Sequence, residues 1–201
     1  MTPIIVRVAT AVLVGLAAFS CVRSGPAKAA DAAGTWLTED GRARVRTEPC
    51  GPRNAHLCGY VVWGSKPLDE TGKPKVDRYN PDPGKQTRAL LGHQLILGLK
   101  PSEDGRHEGK IYNGDNGKSY DVTIWSETPT ELSVRGCLLA VLCATQTWKR
   151  VTDVVPGQLT GATDTPGGPR SNPEWATKTA VSGSAPGPKG RPGDGKPIPA
   201  K

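Results

Sequence analysis

Apolar and polar residues alternate with a period of two through the middle of this chain, and the alternation stops and restarts to give eight runs: Thr35–Thr38, Ala43–Glu48, Leu57–Trp63, His93–Leu99, Glu108–Asn113, Ser119–Trp125, Glu131–Leu138 and Ala144–Val151. The second run sets Arg42, Arg44 and Arg46 against Ala43, Val45 and Thr47, so one face is charged and the other is not. Between runs stand Asp40-Gly41, Asp104-Gly105, Asn113-Gly114, Asn116-Gly117 and Thr128-Pro129. Asp-Gly and Asn-Gly between alternating segments are strong short-range hairpin signals, because both residues tolerate the positive φ of a tight turn. No 3.6-residue apolar repeat lasts beyond two turns. The pattern predicts an all-β domain, an antiparallel up-and-down β-barrel or a sandwich.

One segment has no alternation. Gly64 to Leu90 carries Pro67, Pro74, Pro81 and Pro83. A structureless connection of this length inside a compact domain is usually functional. It holds Asp77, Tyr79 and Asn80 close together, with Arg88 downstream. Two readings stand. Asp77 and Asn80 cap a turn before Pro81, with Arg88 paired to Asp77 at the surface. Alternatively the segment is a lid over the barrel mouth, in which Asp77, Tyr79, Asn80 and Arg88 orient a ligand and Trp63 and Tyr112 supply apolar walls.

The two ends differ from the middle. Residues 1–29 combine Arg7, an apolar run from Val8 to Phe19 and a small-residue stretch ending Ala27-Lys28-Ala29. That run is too short to span a bilayer and fits a signal peptide, which implies a periplasmic or secreted bacterial protein. Cys21 follows Ala18 and Phe19, a poor match to a lipid-anchor site, so it is expected to leave with the signal. Residues 152–201 contain nine Pro and nine Gly and few large apolar residues, Trp175 among them. Such a segment cannot offset its ordering entropy by burial and is expected to be a disordered tail, with Trp175 incidental. Residues 31–151 are left as one β-barrel domain.

Charge narrows the partners. The formal net charge of +7 falls to +4 once Arg7, Arg23 and Lys28 are removed with the signal. No dense Lys/Arg block or aromatic-interleaved basic run exists, so nucleic-acid binding has no electrostatic footprint, and no later segment is apolar enough to span a membrane. Four cysteines remain after the signal. Of three possible connectivities, Cys50–Cys58 and Cys137–Cys143 are favoured, since antiparallel hairpins bring close neighbours to bridging distance and export favours oxidation. Metal binding by these cysteines with His56 does not fit zinc, whose paired cysteines stand two to four residues apart. No cofactor cradle, nucleophile elbow or acid–base pair is apparent, so no catalytic residue is assigned and the protein is not read as an enzyme.

One ordered string of motifs is distinctive: Gly34-Thr35-Trp36-Leu37-Thr38, Cys50 to Leu57-Cys58-Gly59-Tyr60-Val61-Val62-Trp63, Asp77 to Asn80-Pro81, Gly109-Lys110-Ile111-Tyr112, and Gln146-Thr147-Trp148-Lys149-Arg150. It resembles the bacterial domain-of-unknown-function family 2147 over residues 34–151. Asn113-Gly114 departs from it, where such proteins usually have an acidic residue or Asn followed by Pro. That family looks similar to the calycins, the lipocalin-like barrels. The resemblance implies that Gly34 and Trp36 on the first strand meet Arg150 on the last, a structural closure. It brings no activity. The expected role is an exported barrel that binds a small, partly apolar ligand or an envelope component. The alternative is a filled barrel with a structural or interaction role in the envelope.

Overall fold

The computed structural model describes residues 31–138 and 142–176. The expected signal segment, Cys21 and residues 177–201 lie outside the described residues. The strands are β1 (Gly34–Leu37), β2 (Ala43–Cys50), β3 (His56–Gly64), β4 (Gln94–Pro101), β5 (His107–Asn113), β6 (Lys118–Thr128), β7 (Glu131–Leu138) and β8 (Leu142–Arg150). Each pairs antiparallel with the next, and β8 returns to β1, closing an up-and-down barrel.

The turns form for the reasons their residues suggest. Gly41, Gly105 and Gly117 sit at φ of 68°, 79° and 70°. Asp40, Asp104 and Asn116 each accept the N–H two residues on, from Arg42, Arg106 and Lys118, at 3.0, 3.2 and 3.0 Å. Side chain and glycine together give the chain a turn that needs no tertiary partner.

Closure rests on the expected trio. Trp36 lies in register with Arg150 across the β1–β8 seam. The guanidinium is 4.0 Å from the indole centroid. It donates to the carbonyls of Ala33 and Asp31 at 2.8 and 2.7 Å, and to that of Pro129. Gly34 leaves the room: a Cβ there would stand 2.1 Å from an Arg150 nitrogen. Trp36 is fully buried and its N–H donates to Thr47 Oγ1 at 2.8 Å. Around it pack Val45, Leu57, Ile96, Leu99, Ile124, Leu132 and Trp148, the core of the closed end. Both expected disulfides, Cys50–Cys58 and Cys137–Cys143, are present.

The expected tail boundary is corrected. Residues 152–176 are not a loose tail; they run as a strap along the outer face of β2, β3 and β4. Arg44 donates to the Asp153 carbonyl at 2.8 Å and Arg46 to the Gly161 carbonyl at 2.9 Å. The Leu159 N–H meets the Val62 carbonyl, and the Arg170 N–H that of Gly92. The Tyr60 hydroxyl lies 3.0 Å from Ser171 Oγ. Trp175 packs on the Cys50–Cys58 bridge and Tyr60. It fits there because Gly98, at φ 63°, has no side chain; a Cβ would lie 2.3 Å from the indole. Pro/Gly-rich composition forbids a core of its own, but this segment orders by completing a barrel wall whose outer face is apolar and rich in arginine.

Candidate functional site

The barrel is filled at one end only. At the other, a cavity of about 570 Å³ opens between the strand ends and the Gly64–Leu90 segment. Ala43, Val61, Leu95, Ile111 and Tyr120 supply strand walls, and Gln146 lines it from β8. Alternation explains the membership: Trp148 belongs to the packed core, so Gln146, two residues earlier on the same strand, faces inward as well. Gly136 shares the inward face of β7 with Val134 and Leu132, and a Cβ there would meet nothing within 4 Å. Small and polar residues therefore stand where the closed end has large apolar ones. A larger groove of about 970 Å³ lies outside, between the loop and Gly114–Asp115. Its lining mixes charged loop side chains, Asp69, Glu70 and Arg78 among them, with the exposed Leu68, Val76 and Tyr79, and no barrel strand contributes to it. The barrel cavity, backed by apolar strand residues, is the better ligand site.

The expected ligand residues are brought together, but mostly in the wall instead of the cavity. Asp77 is fully buried. Its Oδ2 accepts from Asn80 Nδ2 at 2.8 Å and Arg88 Nε at 2.9 Å, and its Oδ1 accepts the Tyr112 hydroxyl at 2.5 Å. Arg88 also donates to Asn172 Oδ1 at 2.7 Å, and the Asn172 N–H donates to Gln94 Oε1 at 2.8 Å. This knot joins loop, β5, β4 and strap. Both carboxylate oxygens are taken by side chains of the loop and β5, as the capping reading of Asp77, Asn80 and Arg88 expects, although the Arg88–Asp77 pair is buried and not at the surface. Burial first, then the neighbouring Asp77 carboxylate, push the Tyr112 hydroxyl up to about 12. Of the six expected residues only Tyr112 borders the cavity. Tyr79 is half exposed, with the Arg78 guanidinium 5.0 Å from its ring centroid. Trp63 stands on the outer face, its N–H donating to the Pro156 carbonyl at 3.2 Å. The loop packs as a side wall: the Tyr79 carbonyl lies so close to Gly117 that a Cβ there would be 1.9 Å away.

His93 is a cavity-lining residue that sequence reasoning passed over. It is 7 % exposed. Nδ1 sits 2.5 Å from the Leu90 carbonyl, an acceptor, so Nδ1 carries the proton. Burial first, and the Arg88 guanidinium after it, lower the ring's pKa and favour the neutral form. Nε2 has no partner among the described residues. Gln146 was also missed. Its Oε1 accepts the Trp148 indole N–H at 2.9 Å, which fixes the amide. The signal available in the sequence was the small and polar inward row Ala43, Gly136, Ala144 and Gln146 on strands otherwise apolar inside.

Comparison with known proteins gives a family and a fold. A family model described as "Uncharacterized protein conserved in bacteria (DUF2147)" matches residues 34–150. Among solved structures, protein HP1028 from the human pathogen Helicobacter pylori, whose title places it in the lipocalin family, is similar at a TM-score of 0.51. The two share 22 % identity over 62 % of this chain and 85 % of that one. No curated protein matches. The likeness agrees with the eight-strand barrel.

Proposed function

Starting from a chain that belongs to the bacterial family DUF2147, we propose that it is an exported, non-catalytic binding protein that holds a small, partly apolar ligand in the mouth of its barrel. One observation carries this reading: the cavity of about 570 Å³, lined by Val61, Leu95 and Ile111, on a barrel whose opposite end is packed solid. An eight-strand barrel has room for one small ligand when its interior is not filled by side chains. Export is supported by the signal-like residues 1–29 and by two disulfides, which persist outside the reducing cytosol.

The test uses the neutral fluorophore N-phenyl-1-naphthylamine as probe. Saturable binding at one site per chain is expected. Val61→Phe places a ring in the cavity and should abolish that binding while the melting temperature stays close to wild type, since the space to accept it exists. No saturable binding by the wild-type protein would favour the filled, structural barrel. Unchanged binding by the variant would put the probe elsewhere.

A further inference from the structure

Apart from His93 Nε2, an acceptor unpartnered among the described residues, the free uncharged polar groups around the cavity are donors. Gln146 Oε1 is occupied by the Trp148 N–H, which leaves the amide N–H groups free to donate. The Tyr120 hydroxyl accepts from Asn116 Nδ2 at 2.9 Å, which leaves its own proton to donate. Thr38 is used up between Asp40 and the N–H and carbonyl of Ala43.

The charges show the same bias. Five charged side chains line the cavity: Asp40, Arg42, Lys66, Lys75 and Asp115. Asp40 is committed to Arg42, whose Nε lies 2.6 Å away. Burial opposes that carboxylate, but the Arg42 N–H, the Thr38 hydroxyl and the guanidinium hold it at about 2. Asp115 feels the same guanidinium but has no ion pair among the described residues, so three cations stand against two carboxylates. Lys66 and Lys75 have no ion pair or side-chain hydrogen bond among the described residues. They stand side by side on the loop, where the Lys75 N–H donates to the Pro67 carbonyl at 2.9 Å. Lys75 is half-buried as a residue, and its ammonium has no partner among the described residues.

We propose that the cavity takes an amphipathic anion, with its apolar part against Val61, Leu95 and Ile111 and its acid group at the mouth beside Lys66 and Lys75. The proposal rests on the ligand-binding reading above and adds the chemical class. A carboxylate, sulfate or phosphate monoester would satisfy it equally, since each offers acceptor oxygens and negative charge to two ammonium groups.

Three probes of one chain length separate the possibilities: dodecanoate, dodecan-1-ol and dodecyltrimethylammonium, each displacing N-phenyl-1-naphthylamine from the full chain. Dodecanoate is expected to bind roughly five- to tenfold more tightly than the alcohol, as two partly exposed ion contacts would give. The cation should bind weakest. In Lys66→Gln/Lys75→Gln the ratio of dodecanoate to dodecanol affinity should fall towards one, and Lys66→Arg/Lys75→Arg should restore it. Equal affinity for acid and alcohol, or preference for the cation, overturns the anion proposal and leaves the cavity reading standing. A preference for dodecanoate that survives the double glutamine variant overturns the placement at the lysines. If the naphthylamine itself does not bind, both readings fall.

Discussion

The closed end and the mouth of this barrel are made by the same strands and obey opposite rules. At the closed end the inward positions are mostly large and apolar, Trp36, Ile124, Leu132 and Trp148 among them, and the buried Thr47 is satisfied by the Trp36 N–H. One turn of sheet further along, Ala43, Gly136 and Gln146 take the equivalent positions and a cavity opens. The lesson is a division of labour along the strand. One half supplies apolar burial and the charged clamp that closes the sheet. The other is relieved of packing and can present groups to a guest. The mouth still needs rigidity, and it gets it from outside, through the buried Asp77 knot and the strap, not from side chains inside.

The comparison can be broken most severely at the closed end. Trp36→Ala removes the indole that Arg150 covers and Thr47 anchors, and should cost about 3–5 kcal/mol, read as a fall in the urea midpoint. A loss below about 1 kcal/mol would mean that closure does not depend on this side chain. Next comes the mouth wall. Asp77→Ala leaves Arg88 and the Tyr112 hydroxyl without their shared partner and should cost about 3 kcal/mol, as removing one member of a buried ion pair does. An unchanged midpoint together with lost ligand retention would instead return Asp77 to a binding role. Smallest is the strap. Trp175→Ala should lower stability by about 2 kcal/mol, less than a core tryptophan because the indole is only half-buried. Truncation after Thr152 should cost more than that single change, since Arg44 and Arg46 lose their acceptors as well. A truncated chain as stable as the intact one would show the strap to be a passenger.

How much of this was legible follows from the range of the forces involved. All eight strands could be read because period-two alternation and Asp-Gly or Asn-Gly turns are local, and the structure places a strand on each run. The two cysteine pairs were legible for the same reason. The Trp36–Arg150 contact joins residues at opposite ends of the domain and was reached only through family likeness. Asp77, Asn80 and Arg88 could be singled out as a cluster, but not the side of the wall they would occupy. That depends on Tyr112, which lies on the face of β5 opposite Ile111. The strap was misjudged because composition reports whether a segment can fold alone, not whether a neighbouring surface lacks a cover. Gln146 and Gly136 were missed as site residues: small and polar positions in an inward row were there to be read, but a cavity is defined by the volume that side chains fail to fill.

The order of the strands carries a consequence for motion. Every neighbouring pair except one is joined by a hairpin or, for β3 and β4, by the knotted loop, so the chain itself keeps those strands together. The β1–β8 seam has no such link and is held in register at Trp36–Arg150 and Leu37–Lys149. Local opening is therefore expected to start there, and the Val151 amide, which donates to the Thr35 carbonyl at 2.9 Å, should report it first in hydrogen exchange. The seam is thus expected to open before the walls of the mouth change shape.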